Sequence, residues 1–145
     1  MNSMSDNLID QLLISAKTIA VVGISNKPER DSYKVANYLQ AHGYRVLAIN
    51  PQQAGNEILG EMCYPSLRLA VQATGLEVDI VDCFRKAEDI PAIFEEAQQV
   101  NAKSIWMQLG IVNERVEQLA RASGMQVVMD RCTKIEHKRL HHILE

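Results

Sequence analysis

The sequence predicts an α/β protein: one domain over residues 1–145, built on a doubly wound, mainly parallel sheet of five strands. Three observations carry that expectation. Apolar stretches of strand length recur along the chain. Their hydrophobicity is continuous rather than alternating, as in strands covered on both faces. Stretches with helical periodicity separate them, and right-handed crossovers turn such a β-α order into a layered sheet. At 145 residues the chain has the size of one ordinary domain, able to bury roughly 70% of its unfolded surface.

The elements follow in order. "DNLIDQLLISA" (6–16) reads as a short amphipathic helix, and "TIAVVGI" (18–24) as the first strand, closing around Gly23. "SYKVANYLQAHG" gathers Val35, Ala36, Tyr38 and Leu39 on one side of a helix and stops at Gly43, a C-cap residue. "RVLAIN" (45–50) is the second strand. "SLRLAVQATG" is helical, "VDIVDCF" (78–84) the third strand, and "PAIFEEAQQV" a helix with Pro91 early, where a missing N–H costs least. "KSIWMQ" (103–108) is the fourth strand. "NERVEQLARASG" opens on Asn113, a good N-cap, and closes at Gly124. "QVVMD" (126–130) is the fifth strand, followed by a loop and a terminal helix.

Bulk properties exclude several classes. A net charge of −3 argues against a broad basic face for nucleic acid. No stretch has the length of a membrane span, and "MNSMSDNLIDQLLISA" lacks the basic start and long apolar core of a leader. Cys63, Cys83 and Cys132, an odd number without close spacing, fit reduced thiols and a cytoplasmic location. His137, His141 and His142 lie in a basic terminal segment without a matching ligand set, so no metal site is expected. That segment, with Lys134, Lys138 and Arg139, is either a solvated helix face or a reach toward a ligand's phosphates or a partner.

In an open parallel sheet the ligand crevice lies at the carboxyl ends of the strands, where strand order reverses. The stretches to inspect are therefore 23–33, 50–53, 83–86, 107–111 and 130–134. In the first of these, Gly23 permits close backbone approach and Ser25 offers a hydroxyl and an amide. Asp31 or Ser32 is placed to cap the next helix, while Lys27, Arg30 and Lys34 surround its start with positive charge. The positions of a dinucleotide fingerprint's second and third glycines hold Ser25 and Pro28. The second strand ends "AINPQQ", so Asn50 and Pro51 stand where an NAD-binding chain carries an acid for the ribose. That exit suits an adenosine whose ribose is phosphorylated, in NADP or in coenzyme A.

These segments together resemble a known family. "VVGISNKPERDSYKVANYLQAHGYRVLAINP", "VDIVDCFRKAEDIP", "IWMQLGI" and "VVMDRCTKIEH" are similar, in order, to the small CoA-binding Rossmann proteins. These in turn are related to the CoA-binding domain of the succinyl-CoA synthetase α-subunit. The resemblance implies a Rossmann-like domain holding coenzyme A or an acyl-CoA at the C-terminal edge of the sheet. It makes Gly23, Ser25, Arg30 and Tyr33 contacts of the diphosphate and its surroundings, and sets Asn50 and Pro51 beside the adenosine. Phe84 and Arg85 then line the crevice, Gln108 and Gly110 border the pantetheine, and Asp130, Arg131 and Cys132 lie across the switch point. The synthetase carries its catalytic histidine in a further domain, which this chain is expected to lack, so its ligase chemistry does not carry over.

Single residues keep two readings. Arg85 is a site residue or the partner of Glu88 or Asp89; Trp106 is core or a stacking platform. Cys132, beside Arg131 and Lys134, is an activated thiolate or a plain thiol. No catalytic set emerges, so binding without an assigned reaction is the main expectation. An NADP-dependent oxidoreductase is one alternative. The other is a CoA- or redox-responsive module that alters association with a protein partner or a second copy of the chain.

Overall fold

The computed structural model describes residues 6–144. Residues 1–5, which entered the reading against a leader, and residue 145 lie outside the described residues. Among the described residues a seven-stranded sheet is flanked by six α-helices. The strands are β1 (Thr18–Val22), β2 (Arg45–Ile49), β3 (Glu57–Ile58), β4 (Glu61–Tyr64), β5 (Ile80–Cys83), β6 (Ser104–Met107) and β7 (Gln126–Val128). The helices are α1 (Asp6–Ser15), α2 (Asp31–Ala41), α3 (Leu67–Thr74), α4 (Ile90–Gln99), α5 (Glu114–Ala122) and α6 (Thr133–Leu144).

Spatial order is β3-β4-β2-β1-β5-β6-β7, parallel throughout except for β3. The continuous apolar runs have the cause expected of them. Ile19, Val21, Val46 and Trp106 face a layer containing Ile9, Leu13, Val35, Leu39 and Leu140, from α1, α2 and α6. Their sequence neighbours Ala20, Leu47 and Ile105 face the opposite layer, with Leu67, Phe94 and Val116 from α3, α4 and α5. Trp106 is fully buried, and its indole N–H donates to the Arg131 carbonyl at 2.7 Å, which settles it as core.

Two expectations need correction. The sheet has seven strands, not five, because residues 57–64 form a hairpin whose second strand joins β2 in parallel (Ala48 opposite Cys63, Ile49 opposite Tyr64). Its turn, Leu59-Gly60, has φ of 54° and 78°. Positive φ at both turn residues is what a two-residue hairpin with right-handed strand twist demands. The strands are short and interrupted by Glu57 and Glu61, so no apolar run announces them; pairing with β2 supplies what their composition does not.

The double winding holds only in outline. Of the helical crossovers, α2 alone covers the first face, and α1 and α6 from the two ends of the chain complete it. The caps also divide. Asn113 and Ser66 accept from Val116 and Leu69 amides as N-caps. At α2 neither Asp31 nor Ser32 caps: the N-cap position is Arg30, without a side-chain cap bond.

Candidate functional site

Strand order reverses at β1, which has β2 on one side and β5 on the other. Two concavities open there. A slot of about 290 Å³ lies over β1, β2 and the α3–α4 side, lined by Gly23, Ile49, Pro51, Leu67 and Ile93 among others. A larger groove of about 870 Å³ lies over β5 and β6 between α2 and α6 and includes Val35, Phe84, Gln108, Gly110 and Cys132. Arg85 lines both. It forms a 3.5 Å ion pair with Asp89, the second of the acids weighed for it, yet half of it remains in solvent.

The loop after β1 is held by its own polar groups. The Gly23 amide donates to Ile49 at 2.8 Å, and the Ser25 amide to the Ser32 hydroxyl at 2.9 Å. The Lys27 amide donates to the Ser25 hydroxyl at 3.0 Å. Gly23 has φ of 91°, and a Cβ there would lie 2.8 Å from both the Phe84 carbonyl oxygen and the Arg85 Cδ. Glycine is thus required by the exit of β5, which presses against the loop. The first-turn amides of α2, residues 31–33, have no intrahelical acceptor and point out of its N-terminus.

The expected residues fall into three groups. Gly23, Pro51 and Arg85 line the slot; Lys34, Phe84, Arg85, Gln108, Gly110 and Cys132 line the groove. Ser25, Lys27, Arg30 and Tyr33 belong to the loop and the start of α2 and line neither concavity; Lys27 and Arg30 are exposed, and Tyr33 packs on the core. Asn50, Asp130 and Arg131 are engaged elsewhere. The Asn50 side chain donates to the Ile24 carbonyl at 2.8 Å and accepts from the Gln52 amide, tying the two loops together. Asp130, at φ 58°, accepts from the Gly110 amide at 2.7 Å. Arg131 turns toward α1 and pairs with Asp6 and Glu136 at 3.1 and 3.2 Å.

Gln108 reaches a feature the sequence reading missed. Asp82, in the middle of β5, is fully buried and accepts from the Gln108 amide and, at 2.9 Å, from the Thr133 hydroxyl. Burial pushes its carboxyl up to about 7 against the pull of those two hydrogen bonds. An acid inside the apolar run "VDIVDCF" was the available signal. Lys86, Leu109, Ile111 and Ile135 are further groove residues that went unread.

Cys132 lies just before α6, where the Ile135 and Lys134 amides favour its ionised form. Burial nevertheless pushes the thiol up, more than those amides and Lys134 lower it, and Arg131 faces away. Burial thus works against an activated thiolate at this position. Among the described residues, no cluster of three or more His, Cys, Asp or Glu side chains is placed to hold a metal ion. No described helix is long and apolar enough to cross a membrane.

Comparison with known proteins places the chain in a family. Residues 17–138 match the model of the CoA binding domain family. The Bacillus subtilis protein YneT is 36% identical over 137 residues, covering 94% of this chain and 97% of its own. A solved structure from Thermus thermophilus has 37% identity and a TM-score of 0.87, covering 94% of this chain and 99% of that one. One from Pyrococcus horikoshii has 36% identity and a TM-score of 0.87, covering 95% and 93%. With an α/β Rossmann-like fold, a crevice at the strand-order reversal and a family match over most of its length, this chain belongs to the CoA binding domain family.

Proposed function

We propose that this protein binds coenzyme A or an acyl-CoA along the crevice from the slot beside Pro51 to the groove between α2 and α6. The observation that carries the reading is the division of that crevice. The smaller part is mainly apolar, with Ile49, Pro51, Leu67 and Ile93, and carries Glu88, Asp89 and Glu96 among its polar residues; its apolar walls suit an adenine ring. The larger part is lined by Lys34, Arg85, Lys86, Lys134 and Lys138, with Asp31 as its acid. Cationic walls over a partly apolar floor suit a diphosphate joined to a pantetheine arm. Arg85 and the open amides of α2 are the groups to hold the diphosphate. Gln108 and Gly110 border the arm, and Cys132 faces the thiol end. The whole chain acts as one binding domain, and the reading assigns no reaction.

Thermal unfolding with CoA, acetyl-CoA, NAD, NADP and ATP at one concentration tests this. A ligand at about 100 times its dissociation constant adds roughly 2.7 kcal/mol, a midpoint rise of several degrees. The expected result is a rise with the CoA species alone, with affinity about tenfold weaker in Arg85→Ala. A rise with NADP alone overturns the reading.

A further inference from the structure

We propose that Lys34, Lys134 and Lys138 form an oxyanion subsite at the α2–α6 seam, taking an anionic group carried at one end of the ligand. The inference rests on the CoA reading above and adds a charge requirement to it.

Lys134 and Lys138, one turn apart on α6, place their ammonium nitrogens 5.8 and 5.7 Å from the centre of the Tyr38 ring on α2. Lys34 lies one turn before Tyr38 on α2, and all three lysines line the groove. The ring is fixed between the helices: its hydroxyl shares a 2.8 Å hydrogen bond with His137 Nδ1, and its face stacks on His42 at 4.0 Å. Two ammonium groups therefore converge on one rigid platform, and Lys34 adds a third cation to the same groove.

None of them forms an ion pair with a carboxylate among the described residues. Acids are available nearby, but they are taken: Glu136 and Asp10 by Arg139, Glu136 and Asp6 by Arg131. Asp31, the acid of the groove, pairs with none of the lysines. Converging like charges without a counterion repel one another, and an oxyanion among them relieves that repulsion. His137, held below its ordinary range by burial and by His42 and His141, adds no charge to the platform near neutral pH.

With adenine in the Pro51 slot and the diphosphate at Arg85, the seam meets the thioester end, and the oxyanion is a carboxylate on the acyl group. A ligand lying the other way brings its ribose 3′-phosphate there. Both are the same chemistry, and titration calorimetry distinguishes them. Wild type and the Lys134→Gln/Lys138→Gln variant are titrated at fixed ionic strength with CoA, dephospho-CoA, acetyl-CoA and succinyl-CoA. For a carboxylate, wild type prefers succinyl-CoA to acetyl-CoA by about tenfold, and the variant loses that preference. For a 3′-phosphate, it is the preference for CoA over dephospho-CoA that disappears. If the variant, with an unchanged unfolding midpoint, treats all four ligands as wild type does, the subsite is overturned. Binding of none of the four by wild type is the failure of the CoA reading instead. Inorganic tripolyphosphate then decides the subsite: stabilisation of wild type and not of the variant supports it, and stabilisation of neither overturns it.

Discussion

Helix α6 presents two cationic sides that do different work. Toward α1, Arg139 meets Asp10 and Glu136, and Arg131 meets Asp6 and Glu136, so every charge has an opposite within reach. Toward the groove, Lys134 and Lys138 lie over the ring of Tyr38 and pair with no carboxylate among the described residues. The two sides are interleaved along one short helix and carry the same sign of charge. Arginine guanidinium groups, that of Arg139 through several nitrogens at once, are used where the fold closes, and single-point ammonium groups where the crevice stays open. The same division runs through the whole C-terminal edge of the sheet. Loop groups that read as ligand contacts, such as the Gly23 and Ser25 amides, serve the fold, while Lys34, Lys134 and Lys138 line the groove without a carboxylate partner among the described residues.

Substitutions can break or sharpen this contrast. The largest effect is expected at Gly23, a fold-serving position. Gly23→Ala combines a positive φ with a Cβ 2.8 Å from the Phe84 carbonyl. It is expected to cost about 3–5 kcal/mol in urea unfolding, ligand or no ligand.

Asp82→Asn probes the buried network under the groove. The carboxyl of Asp82 is raised to about 7 in the folded state, from an ordinary value of 3.8. The folded protein therefore keeps a proton that the unfolded chain releases above about pH 4. Its stabilising contribution is complete below that pH and lost as pH rises toward 7. Relative to Asp82→Asn, wild type is expected to lose about 1.4 kcal/mol per pH unit across that window. Parallel stability curves for the two proteins from pH 4 to 7 would show that Asp82 is ionised throughout.

Arg139→Ala removes the α1–α6 clasp and is expected to cost about 1–2 kcal/mol, with CoA affinity unchanged. Lys134→Gln/Lys138→Gln is its mirror image, with folding stability within about 0.5 kcal/mol of wild type. A loss of stability from the lysines, or of CoA affinity from the arginine, would erase the distinction between the two sides of α6.

Much of this arrangement was legible in the chain itself. The strands β1, β2, β5, β6 and β7 were read from their continuous apolar runs, because burial on both faces removes the alternation that solvent imposes. Helix α5 was read with its caps, since Asn113 and Gly124 are local signals. The hairpin over residues 57–64 was not legible, because its strands owe their existence to β2. Phe84, Arg85, Gln108 and Cys132, singled out by their place at and after strand ends, line the groove. Arg131 has the same place, but its side chain turns to Asp6, 125 positions away in sequence. No spacing rule reaches that far.

The sequence by itself thus determined the fold class, the edge of the sheet that carries the crevice and the residues eligible to line it, since periodicity and turn chemistry act over a few neighbouring positions. Only the tertiary structure decided which of those residues face the crevice. That choice depends on which polar group finds a partner first. In this protein the partners of Gly23, Ser25 and Arg131 come from β2, α2, α1 and α6, while Lys34, Lys134 and Lys138 form no ion pair with a carboxylate among the described residues.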